Sequence, residues 1–306
     1  MQTEKISLII PTYNAENYLP TLLQNLKMQT ILFELIIIDS SSTDNTVEIA
    51  KCYTKNILSI PTGEFDHGGT RTKAAKTATG DILVFLTQDA LPYDSHAIEN
   101  IIIPFENEDV AAVYGRQLAY EKTSSFGKHL RLFNYPTYSH HRTIKDKDRY
   151  GIKTAFLSDS FAAYRKTDLE RISWFKDGLI VGEDNYAGAK FILCNRTLVY
   201  NADAKVYHSH SYTIFEEFTR YFDIGVFHKN ESWILRNFGK VEGEGGKYLK
   251  SELNYLLRHH KYYSIPEFIL RNGIKYLGYK LGKNYKRIPL NLIKKLSLHK
   301  SWWENR

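Results

Sequence analysis

Residues 6–14 read Ile-Ser-Leu-Ile-Ile-Pro-Thr-Tyr-Asn. A short apolar run stopped by a proline and polar residues is the pattern of a strand buried on both faces. The design returns at 35–39 (LIIID), which ends on Asp39, more weakly at 57–60, and most strongly at 82–86 (ILVFL). Between the first two runs Tyr18, Leu19, Leu22, Leu23 and Leu26 recur at helical spacing, which makes one apolar helix face. After the second, Ser40-Ser41-Ser42-Thr43-Asp44 supplies helix N-cap chemistry. Apolar strands alternating with amphipathic helices predict an α/β fold with a parallel sheet covered on both faces. Ligands of such sheets bind beyond the carboxyl ends of the strands. That singles out Thr12, Tyr13, Asn14, then Asp39, then Thr87, Gln88 and Asp89. Further strands are expected at 110–120, 155–164 and within 197–208, and a helical pattern from 211 onward.

The chain has 306 residues, 43% hydrophobic and 25% charged, which suffices for one large domain with an appendage and excludes a disordered chain. Its two cysteines, Cys52 and Cys194, cannot make a disulfide framework, so a reducing cytosol is expected. No signal-peptide pattern opens the sequence, and no uninterrupted apolar run reaches the ~18 residues of a membrane span. Charge is unevenly placed. Residues 247–306 hold 14 Lys and Arg against 3 Asp and Glu, a local net of +11; the whole chain is +7, so residues 1–246 carry −4. A basic tail on an acidic body points to an anionic surface as the tail's partner.

Five places carry chemistry-bearing residues. Asp39 precedes a hydroxyl-rich turn, as a carboxylate for a base or ribose or as a helix cap. The FDHGGTR stretch, 65–71, crowds Asp66, His67 and Arg71 into one glycine-rich turn suited to phosphate or base recognition; a turn with a solvated arginine is the alternative. Asp89, in TQDA at 87–90, is either a turn residue or one carboxylate that holds a divalent cation together with phosphate oxygens. Glu183-Asp184 precede a possible helix at 185–193, as a general base for an acceptor hydroxyl or as ordinary first-turn acids. His208 and His210 alternate on a strand and so share a face, as metal ligands or as structural histidines.

In this order the motifs resemble the inverting family 2 glycosyltransferases of GT-A fold, over about residues 6–210. FDHGGTR, TQDA and RYFDIG (220–225) are similar to motifs of bacterial rhamnosyltransferases of O-antigen and capsule assembly, whose donor is usually dTDP-L-rhamnose. Thr87 departs from the family, whose metal motif is usually Asp-any-Asp. The resemblance implies a GT-A domain over 1–210 and a helical, basic extension over 211–306. It implies Pro11, Thr12, Tyr13, Asn14, Asp39, Arg71, Gln88 and Asp89 on the donor nucleotide, with Asp66 and His67 at the donor sugar or in its loop. Asp89 and His208 would hold Mn2+ or Mg2+, and Asp184 would deprotonate the acceptor, with Glu183 as the other candidate base.

In the tail, Lys and Arg interleave with Tyr, Leu, Ile and finally Trp302 and Trp303. Cationic amphipathic helices with aromatic anchors suit an anionic membrane, whereas a helical subdomain packed on the body or on a second copy would merely solvate the charge. Membrane contact fits a glycan acceptor on a polyprenyl diphosphate, a peripheral place on the inner face of the cell membrane, and no nucleic-acid partner. The other readings are a family 2 transferase using a UDP- or GDP-sugar, a nucleotidyltransferase, and a degenerate enzyme body with a lipid- or nucleic-acid-binding tail. The nucleotidyltransferase lacks its Gly-rich basic loop, because Pro11-Thr12-Tyr13-Asn14 follows the first strand instead.

Overall fold

A computed structural model describes residues 4–239 and 242–304. The strands are β1 (Ile6–Thr12), β2 (Glu34–Asp39), β3 (Ile57–Ser59), β4 (Ile82–Leu86), β5 (Leu91–Pro92), β6 (Val110–Leu118), β7 (His140–Arg142), β8 (Phe161–Arg165) and β9 (Thr197–Tyr207). They form one sheet in the order β3-β2-β1-β4-β8-β6-β9-β5, with β7 also paired to β9. From β3 to β4 every pairing is parallel, as the apolar runs predict, and the β1–β2 register sets Thr12 beside Asp39. Beyond β4 the sheet is mixed, because β8 runs antiparallel between β4 and β6 while β6 and β9 are parallel.

Both faces of the sheet are covered. Leu8 and Ile10 point into a core shared with the helix Leu19–Lys27, and Ile9 points into the opposite core, shared with the helices His67–Thr77 and Glu183–Leu193. The alternation hides in sequence because both sets are apolar. The expected strand over 155–164 is only half realised. Residues Gly151–Ala155 form a 3-10 turn, pressed so closely under the helix Glu183–Leu193 that a Cβ on Gly188 would stand 2.2 Å from the Ala155 carbonyl oxygen.

The C-terminal helices complete the second core. Phe222 and Val226 of the helix Ile214–Asn230, Ile293, and Trp303 at the chain end all join it. Trp303 is 5% exposed, and the indole N–H of Trp302 donates to the Gly178 carbonyl at 3.1 Å. The structure thus corrects their expected role as membrane anchors: Trp303 buries its ring in the core, with its own N–H unpartnered, and Trp302 is tied to the body through its N–H. Part of the tail's positive charge is also internal. Arg271 and Lys275, both buried, pair with Glu217 at 3.1 and 3.3 Å.

The RYFDIG stretch gains a structural reading here. Asp223, fully buried, accepts from Ser297 Oγ (2.6 Å), Leu298 N (2.9 Å) and His299 N (3.3 Å), tying the last segment back to the body. No described helix is long and apolar enough to cross a membrane.

Candidate active site

The residues expected to face the nucleotide lie at the parallel end of the sheet. Asp39 closes β2 and is almost wholly buried. Its carboxylate accepts from Thr12 Oγ1 (2.9 Å), Ser42 Oγ (2.6 Å) and the Ser42 N–H (2.8 Å). Asn14 and Ser41 both take positive φ, 46° and 58°, a conformation that Asn tolerates and Ser seldom adopts. The Asn14 N–H donates to Ser42 Oγ, and its side-chain carbonyl accepts from the Thr43 N–H. Gln88 locks the third strand end to the first: its Oε1 accepts from Tyr13 N (2.9 Å) and its Nε2 donates to Tyr13 O (3.2 Å). Pro11 to Asn14, Asp39 and Gln88 therefore form one cross-braced rim.

Next to this rim, Asp89, His208 and His210 bring three ligand atoms within 4.8 Å of one another. Each histidine Nε2 is 3.5 Å from Asp89 Oδ2, and the two Nε2 atoms are 3.1 Å apart. His208 Nδ1 lies 2.9 Å from Gln117 Oε1. A proton on that Nδ1, donated to the amide oxygen, leaves Nε2 as a lone pair facing Asp89, which is how outer partners orient a metal-binding imidazole. Burial alone would raise the Asp89 carboxyl, but the hydrogen bond and charge of His208 outweigh it and hold the group well below the usual carboxylate range. Burial, with His208 beside it, pushes His210 down to about 4, so this imidazole is neutral at pH 7. One carboxylate and two imidazoles make a donor set fitted to a divalent first-row metal. Sequence spacing left the histidines ambiguous because their third partner is more than a hundred residues away.

A cleft of about 580 Å³ holds the other candidates, among them His67, Arg71, Asp159, Glu183, Asp184 and His299. FDHGGTR, expected as a turn, is the start of the helix His67–Thr77: Asp66 is its N-cap, accepting from Gly69 N at 2.6 Å, with its other oxygen taken by Gly178 N at 2.9 Å. Arg71, read above as a residue for base or phosphate, carries a buried guanidinium engaged by Glu183 (3.0 Å) and Asp159 (3.2 Å). Glu183 and Asp184 open the helix Glu183–Leu193 behind Gly182. Gly182 sits at φ 84° with the Phe227 ring 3.1 Å from where a Cβ would lie, so the turn into this helix needs glycine.

The three carboxylates share one cation. Burial would raise Glu183, but Arg71 overrides it and lowers the group. Asp159 is pushed up to about 7 by burial and by Glu183, and the Tyr164 hydroxyl donates to its Oδ1. Asp184 is raised well above the ordinary range by burial, Glu183 and Asp159, and its Oδ2 accepts from the Asp159 N–H at 3.3 Å. A bridge joins this cluster to the histidines: Gln117 Nε2 donates to Ser158 Oγ at 2.9 Å, one residue before Asp159. His67 faces His299 across 5.2 Å between ring centroids, so the C-terminal segment contributes to the cleft wall.

Residues 7–173 match Glycosyl transferase family 2. The chain belongs to that family. This glycosyltransferase is 45% identical over 304 residues to the O-antigen chain rhamnosyltransferase RfbN of Salmonella typhimurium, covering 98% of this chain and 96% of that one. It is 44% identical to the O-antigen chain rhamnosyltransferase WbaN of Salmonella anatum, again over 98% and 96% of the two chains. Among solved structures it resembles a mannosyltransferase from Pyrobaculum calidifontis, in complex with GDP-Man and Mn2+, with TM-score 0.61 at 17% identity over 99% of this chain and 88% of that one. The glycosyltransferase also has site residues that sequence reasoning missed. His210 shares with His208 a sequence reading as a possible metal ligand but is absent from the Asp89–His208 pair that the resemblance implies, while Gln117, Asp159 and His299 carry no motif signal at all.

Proposed function

We propose that this glycosyltransferase moves L-rhamnose, with inversion, from dTDP-L-rhamnose to a lipid-linked glycan in the assembly of a bacterial surface polysaccharide. The observation that carries the reading is the end-to-end identity of 45% and 44% with two O-antigen chain rhamnosyltransferases, which runs through the C-terminal helices as well as the sheet.

In this mechanism the rim of Pro11, Thr12, Tyr13, Asn14, Asp39 and Gln88 receives the nucleotide. Asp89, His208 and His210 would hold the metal, and two imidazole donors would favour Mn2+ over the oxygen-seeking Mg2+. When bound, a divalent cation balances the charge that develops on the departing diphosphate. Asp184 takes the proton of the acceptor hydroxyl as its oxygen bonds to the anomeric carbon, and the bond from that carbon to the nucleoside diphosphate breaks on the opposite side. Burial and two neighbouring carboxylates make Asp184 a stronger base than a solvated aspartate. Arg71 keeps Glu183 ionised, which leaves the proton-accepting role to Asp184.

A peripheral place on the cytoplasmic face of the membrane is supported by the helix Ile265–Lys283, which exposes Ile269, Leu270, Tyr276 and Leu277 along one stripe amid the basic tail. Such a stripe seats in a headgroup boundary while flanking lysines meet anionic lipid.

Calorimetric titration with dTDP, UDP and GDP, each with and without Mn2+, tests the donor. Metal-dependent binding that favours dTDP is expected. A preference for UDP or GDP removes rhamnose and keeps the class, and binding of none of them overturns the whole reading.

A further inference from the structure

A second concavity adjoins the catalytic cleft. The helix Glu242–Arg258 and the helix Ser125–Asn134 enclose a groove of about 470 Å³. Lys247, Lys250, Asn254 and Arg258 line one side at steps of three and four residues, which is a single stripe of the helix. His129 and Phe133 line the other side. His129 is 2% exposed; its Nε2 meets Ser251 Oγ at 2.9 Å, while its Nδ1 has no hydrogen-bond partner.

Part of the groove's charge is uncompensated. Glu244 is shared between Lys153 (3.5 Å) and Lys247 (2.6 Å). Glu252 is fully buried, accepts from Tyr248 and Asn272, and lies 3.6 Å from His129 Nδ1. Lys250 and Arg258 are exposed and enter no ion pair among the described residues. The field reaches the cleft: burial lowers Lys153, and Arg142 and Lys247 push it further down against the pull of Glu244.

The groove also borders the candidate cleft. Lys153 and Glu244 line the catalytic cleft with Asp184, and Lys153 Nζ lies 3.9 Å from the centroid of the Phe133 ring on the groove wall. On its wall Leu132 is an exposed apolar residue. A cationic trough beside the cleft that holds Asp184, with an exposed apolar side chain on its wall, has the chemistry to hold an anion attached to something greasy.

We propose that this groove binds the phosphate or diphosphate group of the acceptor, with Lys250 and Arg258 as its principal cations, while the acceptor's sugar hydroxyl lies at Asp184. The inference deepens the proposed function and rests on its lipid-linked acceptor. Guanidinium and ammonium donors to phosphate are charge-assisted and strong, and reversing them converts attraction to repulsion.

The test uses the full chain and the variant Lys250→Glu/Arg258→Glu, both side chains being exposed; Lys250→Ser/Arg258→Ser serves if the charge reversal impairs folding. Two acceptors carry the same glycan, one on a short prenyl diphosphate and one on a neutral alkyl group. In the variant, KM for the diphosphate acceptor rises roughly tenfold or more with kcat unchanged, and KM for the neutral acceptor stays put. Equal KM shifts for both acceptors, or none, overturn the proposal. Sedimentation with phosphatidylcholine vesicles containing phosphatidylglycerol separates the sources of phosphate. A variant that loses vesicle binding but keeps its KM for the diphosphate acceptor shows a groove that serves bilayer headgroups, and that also overturns the proposal. Should wild type use neither acceptor, the acceptor reading itself has failed. Titration with inorganic pyrophosphate in EDTA then still decides the groove: binding by wild type and not by the variant supports it, and absence of binding by wild type ends it.

Discussion

Two buried or partly buried aspartates, one at each end of the reaction zone, are held in opposite ways. Asp39 accepts hydrogen bonds from neutral donors only, two hydroxyls and an N–H, supplied by the end of β1 and the turn after β2. Asp184 sits among carboxylates, with Glu183 beside it in sequence and Asp159 against it in space, and with Arg71 spent on those two neighbours. The first arrangement fixes a shape. The second stores electrostatic repulsion that a proton relieves. The binding wall and the proton acceptor proposed for this site need these two different solutions, and one residue type can supply both because its surroundings decide.

Asp184→Asn tests the reactive end most severely. The amide keeps the shape and cannot take a proton, so transfer falls roughly 10²–10⁴-fold, the usual contribution of a general base, while donor affinity measured by calorimetry stays near wild type. Normal turnover would remove Asp184 from the mechanism. The pH dependence sharpens the same point. The base works ionised, so kcat/KM rises with pH along a limb displaced above the ordinary carboxylate range, following the raised folded-state pKa. Stability runs the other way. Asp159, raised to about 7, and Asp184 contribute stability that is full below the unfolded carboxylate range and is lost as pH climbs through their folded values. Wild-type Tm should therefore fall between pH 5 and pH 8 while activity increases, and Asp184→Asn should flatten that fall. A Tm that ignores pH over this window contradicts the charge cluster.

Arg71→Met asks how much of the repulsion one cation holds down. Removing one member of a buried ion group leaves the others uncompensated and costs about 3–5 kcal/mol. Urea denaturation at pH 8 should show that loss, and at pH 5, where protons replace the guanidinium, a smaller one. An equal loss at both pH values would mean that Arg71 acts through packing.

The contrast also explains what could be seen in the sequence. Strands β1, β2 and β4 are local apolar runs with polar ends, and the rim built on them comes from residues that follow those runs directly, so Thr12, Asn14, Asp39 and Gln88 stood out. The reactive end is assembled across the sheet. Asp159 is placed by a turn where a strand was expected, and Gln117 reaches His208 from the neighbouring strand β6. His210 gains meaning only from Asp89, and His299 only because Asp223 folds the last segment back. None of these pairings leaves a periodic trace. Composition also overstated the tail, since Arg271, Lys275 and Trp303 look in sequence like their exposed neighbours and are buried.

The smallest effect concerns how the C-terminal helices reach the reactive end at all. The helix Ile265–Lys283 lies against the helix Ile214–Asn230 at glycines: a Cβ on Gly282 would stand 2.0 Å from Phe222 O, and one on Gly278 would stand 2.5 Å from Phe218 O. Alanine is the better helix former, by ~1 kcal/mol over glycine. At position 282 that gain is outweighed, because the backbones must part, and such overpacking costs about 1–3 kcal/mol. Gly273, in the same helix, is exposed and would meet nothing within 4 Å. Gly282→Ala should therefore lower the denaturation midpoint while Gly273→Ala raises it slightly, the same change in one helix with opposite sign. Since Phe222 adjoins Asp223, and Asp223 holds His299 at the cleft, parting the helices at 282 should impair transfer at the reactive end and spare dTDP binding at the braced one. Loss of both together would show that the two ends are less independent than their electrostatics make them.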